Sequence, residues 1–160
     1  MAAQNPAIEN IIKSLQESEP NWDQVLQDLI NAYDCKTGTI HFISKEDKLL
    51  ILQTQIGVPD FLLPKMNSIP IGKGMAGAAA ERKEPVELCN LQSDASGIAR
   101  PAAKETKVEG SIAVPMLHND ELYGVVGIGK PEPYGFSKDE EKQLLRVGEA
   151  MSEALKRIRS

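Results

Sequence analysis

The residues of this 160-residue chain with the most evident chemical potential form Gly72-Lys73-Gly74-Met75-Ala76-Gly77, which satisfies the G-x-G-x-x-G pattern of a phosphate-cradling turn. Such a turn holds a dinucleotide when it follows a long buried strand inside a strand-helix-strand unit. Here Pro64 and Pro70 interrupt the preceding segment, so the glycines read as a tight turn at Gly74 and a helix whose Gly77 packs close to a sheet. An anion could still rest on that helix N-terminus. The two histidines, His41 and His118, and the two cysteines, Cys35 and Cys89, show no metal-ligand or CxxC spacing, and nothing in their positions converges them on an ion or a disulfide. Arg100, set among small residues in Ser96-Gly97-Ile98-Ala99-Arg100-Pro101, has the fork to clamp a carboxylate or phosphate, against the plainer reading of a solvated loop arginine. Cys89 reads as a small buried hydrophobe, with a reactive thiol as the alternative. Asp94 and Glu109 read as a turn cap and a surface residue, with pocket acids as the alternative. No G-x-S-x-G, H-E-x-x-H or Walker pattern occurs, which removes the commonest hydrolase and phosphoryl-transfer signatures.

These residues must be held by regular elements, and the periodicity supplies them. Asn5 and Pro6 open a helix with Ile8, Ile11, Ile12 and Leu15 on one face, which Pro20 ends. Trp22, Val25, Leu26, Leu29, Ile30 and Tyr33 form a second helical stripe. Thr37 to Ser44 and Leu49 to Ile56 are rich in β-branched residues and read as a hairpin joined at Lys45 to Lys48. Pro59, Pro64 and Pro70 keep Phe61 to Met66 from becoming a long element. The alanine-rich helix after the glycines ends near Lys83, ahead of Pro85, and Val86 to Leu88 is a short strand. Asn90 to Lys107 is a long excursion, of a length a compact domain reserves for functional loops. Ser111 to Leu117 and Leu122 to Gly129 pair through the tight turn His118-Asn119-Asp120-Glu121, and Ser137 with Glu140 makes a capping box for a last helix bearing Leu144, Val147, Met151, Ala154, Leu155 and Ile158 on one face. The sum is an α+β domain: a central antiparallel sheet of about six strands, with the terminal helices on one face and room for a pocket on the other.

A net charge of −5 opposes binding to nucleic acid or anionic lipid, and 4% aromatic residues are too few for a base-stacking platform. No run approaches the roughly 20 apolar residues of a membrane span, and the N-terminus has no signal-peptide pattern, so the chain reads as cytoplasmic. Of the 12 glycines, eight fall between Gly72 and Gly129.

Taken in order, Ile69-Pro70-Ile71-Gly72-Lys73-Gly74-Met75-Ala76-Gly77, Glu84-Pro85-Val86-Glu87-Leu88, Gly110-Ser111-Ile112-Ala113-Val114-Pro115-Met116, Leu122-Tyr123-Gly124-Val125-Val126-Gly127-Ile128 and Phe136-Ser137-Lys138-Asp139-Glu140 resemble the GAF domain. The resemblance runs from about Trp22 to Arg159 and implies a six-stranded antiparallel sheet, a small-molecule pocket closed by the long excursion, and frequent homodimerisation through the terminal helices. Residues 1–18 are then an N-terminal helix available as a dimer contact, and residues 19–160 the domain. The free methionine-(R)-sulfoxide reductases of this family carry a cysteine in the glycine turn, a nucleophilic cysteine in the long loop and acids on the last two strands. This chain has Met75-Ala76, Ala99-Arg100, Ser111, Gly127 and Gly129 at those places. The Asn-Lys-Phe-Asp-Glu signature of cyclic-nucleotide members and the bilin-attaching cysteine context are also absent.

The resemblance therefore implies a non-catalytic sensor of a small cytosolic ligand, with no cofactor specified and a pocket drawn from Phe61, Met66, Cys89, Asp94, Ser96, Ile98, Arg100 and Ser111. With no output module in the sequence, the signal is expected to pass to a partner protein in trans or to a neighbouring domain of a longer chain. A helix-mediated dimerisation module with a vestigial pocket is the alternative, and a reductase-like enzyme comes third.

Overall fold

The structure, a computed structural model, describes residues 5–17, 19–93, 98 and 107–159. Helix α1 (Pro6–Glu17) starts where Asn5 Oδ1 accepts the Ala7 N–H at 3.0 Å, and α2 (Trp22–Ala32) starts where Asn21 Oδ1 accepts the Gln24 N–H at 3.2 Å. The hairpin β1 (Thr37–Ser44) and β2 (Leu49–Ile56) has the expected bounds. A 3-10 turn, Asp60–Leu62, runs into the single helical turn α3 (Leu63–Met66) and the short strand β3 (Ser68–Pro70). Helix α4 (Gly74–Arg82) and β4 (Val86–Leu88) follow. The hairpin β5 (Gly110–His118) and β6 (Glu121–Lys130) turns at Asn119 and Asp120, both at positive φ, the two-residue geometry that matches strand twist. Helix α5 (Lys138–Arg159) opens with a reciprocal capping box: Ser137 N–H donates to Glu140 Oε1 at 2.9 Å, and Glu140 N–H to Ser137 Oγ at 3.1 Å.

The six strands form one sheet in the order β3-β2-β1-β6-β5-β4, with every described pairing antiparallel. Because side chains alternate along a strand, its two faces carry different sets. Ile40, Phe42, Ile112, Val114, Met116, Val126 and Ile128 meet the buried stripes of α1, α2 and α5. Leu50, Ile69, Val86, Ala113, Leu122 and Val125 lie on the opposite side with Ala78, Ala79 and Ala80 of α4. The apolar stripe of α1 is thus part of the main core, and Arg146 of α5 holds Glu9 of α1 in a two-pronged pair at 2.6 and 3.2 Å.

Some expectations need correction. Ile158, placed by periodicity on the buried face of α5, lies at the helix end and is 47% exposed. Cys89, read as a buried thiol, is exposed, whereas Cys35 is buried, and both are free. Gly77 does let α4 pack close to the sheet, at its edge, since Pro70 is the last residue of β3. A Cβ on Gly77 would lie 2.6 Å from the Pro70 carbonyl oxygen and 3.0 Å from Gly72 N, so the residue lets α4 fold back onto its own entry turn, where Gly72 and Gly74 take positive φ. The G-x-G-x-x-G pattern is therefore the entry to α4 from an edge strand of an antiparallel sheet, outside the parallel unit that dinucleotide binding uses.

The cysteines give a simple test of this packing. Burial raises the Cys35 thiol to about 11, leaving roughly a hundredfold less thiolate at neutral pH than an ordinary cysteine. Iodoacetamide at neutral pH is expected to label Cys89 in the folded protein and Cys35 only after unfolding, read by mass spectrometry. Equal labelling of both in the native state would contradict the packing of Cys35.

Candidate functional site

The central strands bring small residues into register on the sheet face opposite α1, α2 and α5. Thr37 pairs with Gly129, which pairs with Ser111; one step along, Thr39 pairs with Gly127, which pairs with Ala113. Each row has a glycine at its centre, so the floor of three strands carries almost no side-chain bulk. Above it lies a cavity of about 130 Å³.

Its walls come from short elements that the prolines and glycines hold over the sheet. Lys65 and Met66 of α3, Ile69 of β3, Lys73, and Gly74, Met75 and Ala76 of α4 line one side, with Val58, Leu91 and Val108 completing the apolar lining. Lys65 and Lys73 are the charged groups among the described lining residues, and both are exposed at the rim. Thr37, Thr39 and Ser111 supply hydroxyls, and the first backbone N–H groups of α4 add a fixed partial positive charge. The arrangement can accept a small molecule with an apolar part and a negative end.

His41, two residues beyond Thr39 on the same strand, fixes the roof. It is 1% exposed, and burial lowers its pKa, so the imidazole is neutral and its Nε2–H donates to the Met66 carbonyl at 2.9 Å. A strand residue thus ties α3 down beside the cavity. Lys130, also buried, donates to the Tyr33 carbonyl and lies 4.4 Å from the centre of the Tyr134 ring, closing the far end of β6 onto α2.

The residues named from the sequence divide as follows. Met66 and Ser111 line the cavity. Phe61 is 69% exposed and outside the lining. Cys89 is exposed at the end of β4, where its carbonyl accepts the Tyr134 N–H at 2.9 Å. Ile98 packs against the cluster on the α4 side of the sheet. Asp94, Ser96 and Arg100 lie outside the described residues, as does most of the Asn90 to Lys107 excursion. Sequence reasoning missed Thr37, Thr39, Lys65 and Lys73, and it valued Gly127 and Gly129 for the acids they replace. The signal available was the i, i+2 spacing of each pair on a strand, Thr37 with Thr39 and Gly127 with Gly129, which puts both members on one face. Met75, Ala76, Ser111, Gly127 and Gly129, the places where the reductases of this family are expected to hold a cysteine and acids, all line this one cavity.

Comparison with known proteins agrees with this geometry. The fold matches the GAF domain from a phosphoenolpyruvate-protein phosphotransferase of Coxiella burnetii with a TM-score of 0.80, 20% identity, and 96% of this chain and 93% of that one covered. It matches a free methionine-R-sulfoxide reductase from Neisseria meningitidis, solved with its substrate, at a TM-score of 0.77, 16% identity, and 99% and 95% coverage. A putative GAF sensor protein from Burkholderia vietnamiensis aligns with a TM-score of 0.75, 18% identity, and 97% and 95% coverage. No curated protein matches in sequence. The sequence profile described as GAF domain matches residues 22–156, from the start of α2 through the whole sheet to near the end of α5, and on that match the chain belongs to the GAF domain family.

Proposed function

We propose that this chain is a non-catalytic, ligand-binding GAF domain whose cavity takes a small cytosolic organic anion and whose terminal helices pass its occupancy to another domain or protein. The observation that carries the reading is the floor of Gly127, Gly129, Ala113 and Ser111 beneath a lysine-flanked mouth. A cavity near 150 Å³ holds a benzene-sized molecule. At about 130 Å³ this one suits an organic or amino acid of a few carbons better than a nucleotide. The floor strands carry Ile112, Val114 and Ile128 on their reverse face, against the core shared with α1, α2 and α5. A ligand that shifts the floor therefore pushes on the terminal helices directly.

Reductase chemistry needs an attacking thiolate. Among the described residues no cysteine lines the cavity, Cys35 is buried with its thiol pushed up to about 11, and the expected acid positions hold Ser111, Gly127 and Gly129. The interaction-module alternative has less behind it, because the apolar stripes that would join two copies are, Ile158 apart, buried within the chain. Self-association would have to use another surface.

Thermal unfolding across a panel of short organic acids and amino acids, each paired with its neutral amide, tests the proposal. At a hundred times its Kd a ligand stabilises by about 2.7 kcal/mol, which for a domain of this size is roughly 5–11 °C. At least one acid is expected to give a saturable shift of that order and its amide much less. If no acid shifts the midpoint, or amides do as well, the anion reading fails.

A further inference from the structure

At the opposite end of the sheet from the cavity mouth residues of α4, His118 closes β5, and α5 passes it at short range. The approach has a local cause. Gly148 and Ser152, both buried on α5, are small, and a Cβ on Gly148 would lie 3.0 Å from the Pro115 carbonyl oxygen. This close crossing carries Glu149 and Glu153, one helical turn apart and so on one face, alongside the imidazole that follows Met116 by two residues. One ligand atom from each of His118, Glu149 and Glu153 lies within 4.8 Å of the others. His118 Nδ1 is 3.4 Å from Glu153 Oε1, while its Nε2 faces the Asn119 side-chain amide at 3.3 Å.

We propose that His118, Glu149 and Glu153 form a binding site for a divalent transition-metal ion, clamping the β5-β6 hairpin to α5. One imidazole nitrogen and two carboxylates suit zinc or cobalt better than calcium or magnesium, which prefer all-oxygen sets. Three protein ligands leave a fourth position for water. The tetrahedral contacts need ligand atoms closer together than they now stand, and the closure falls to two glutamate side chains that reach the site from one solvent-facing helix edge. Two features fit a metal site. Nδ1 points at the carboxylates while the other ring nitrogen has its own partner: with Nδ1 on the metal, Nε2–H donates to the Asn119 amide oxygen once that amide is turned, the outer hydrogen bond that fixes a ligating histidine. In addition, Glu149 has no ion-pair partner among the described residues, and like charges a helical turn apart repel until a cation joins them. This site is independent of the cavity, since none of its three residues lines it.

The test uses the tag-free chain, stripped of metal, titrated with Zn²⁺ by calorimetry and with Co²⁺ by absorption. One ion per chain is expected, with no sulfur-to-cobalt charge-transfer band. H118A and the double variant E149Q/E153Q are each expected to lose at least about tenfold in affinity, the smaller end of what losing even an outer-sphere partner costs. C89S should bind as the parent does. All of these side chains reach the surface, and circular dichroism confirms that each variant is folded. The proposal is overturned by absence of a one-to-one complex, by unchanged affinity in H118A or E149Q/E153Q, or by a thiolate band that C89S removes.

Discussion

Gly124→Ala is expected to cost about 3 kcal/mol or more, at or beyond the upper end of overpacking effects, and to lower the melting midpoint by roughly 6–12 °C for a domain of this size. Gly124 lies in β6, paired on one side with Phe42 of β1 and on the other with Met116 of β5. A Cβ built there is driven into the carbonyl oxygen of His41, well inside contact distance, and lies 3.1 Å from Met116 Sδ. A flexible side chain could yield, but the His41 carbonyl belongs to the backbone of a central strand and can move only by pulling β1 away from β6. The cost reaches further because His41 also holds α3 through the Met66 carbonyl. Urea unfolding of the two proteins side by side measures the effect. A variant with the parent midpoint would show that the two strands stand farther apart than the structure has them.

The contrast between this glycine and its neighbours shows what the sequence could reveal and what it could not. Element bounds are legible wherever local chemistry sets them: Asn5 caps α1, Ser137 and Glu140 bridge across the first turn of α5, β1 and β2 begin and end where the β-branched runs do, and β4 follows Pro85 as expected. Strand β3 was not legible, because three residues ending in proline carry no period. Its proline is tolerated because the strand lies at the sheet edge, where Leu49 pairs with Pro70. The cavity was half legible. Ser111 belongs to a segment that carries the family pattern and Met66 lies just before another, but the floor is made by register between β1 and β6, about ninety residues apart, and register is a property of the folded sheet. Phe61 and Cys89, expected in the pocket from the resemblance, are not part of it. Each sits where a turn or a strand ends, with no alternation to fix its direction, and each proves to be exposed.

Gly127 is the position where this register gives an opposite outcome, three residues along the same strand. A Cβ there meets Thr39 Oγ1 at 3.4 Å and the Ile112 carbonyl oxygen at 3.7 Å, both ordinary contacts, so the backbone accepts a Cβ unchanged and further atoms extend into the cavity. Gly127→Val is therefore expected to fold as the parent does, and to gain up to about 1 kcal/mol from the lower chain entropy and better strand fit of a β-branched residue. The same isopropyl group stands on the cavity floor between Thr39 and Ala113 and takes up much of the 130 Å³ above it. The acid that most stabilises the parent should then bind more than tenfold less tightly, a loss of at least about 1.4 kcal/mol, while Gly127→Ala should fall between the two. Because the substitution leaves stability intact or raised, loss of the ligand-induced shift reports on the cavity and not on damage to the fold. If Gly127→Val keeps the parent affinity, the ligand lies elsewhere and the floor has no part in binding. If Gly127→Ala, which adds only that Cβ, loses stability, the register of Gly127 between Thr39 and Ala113 is wrong, and with it the assignment of these residues to one face.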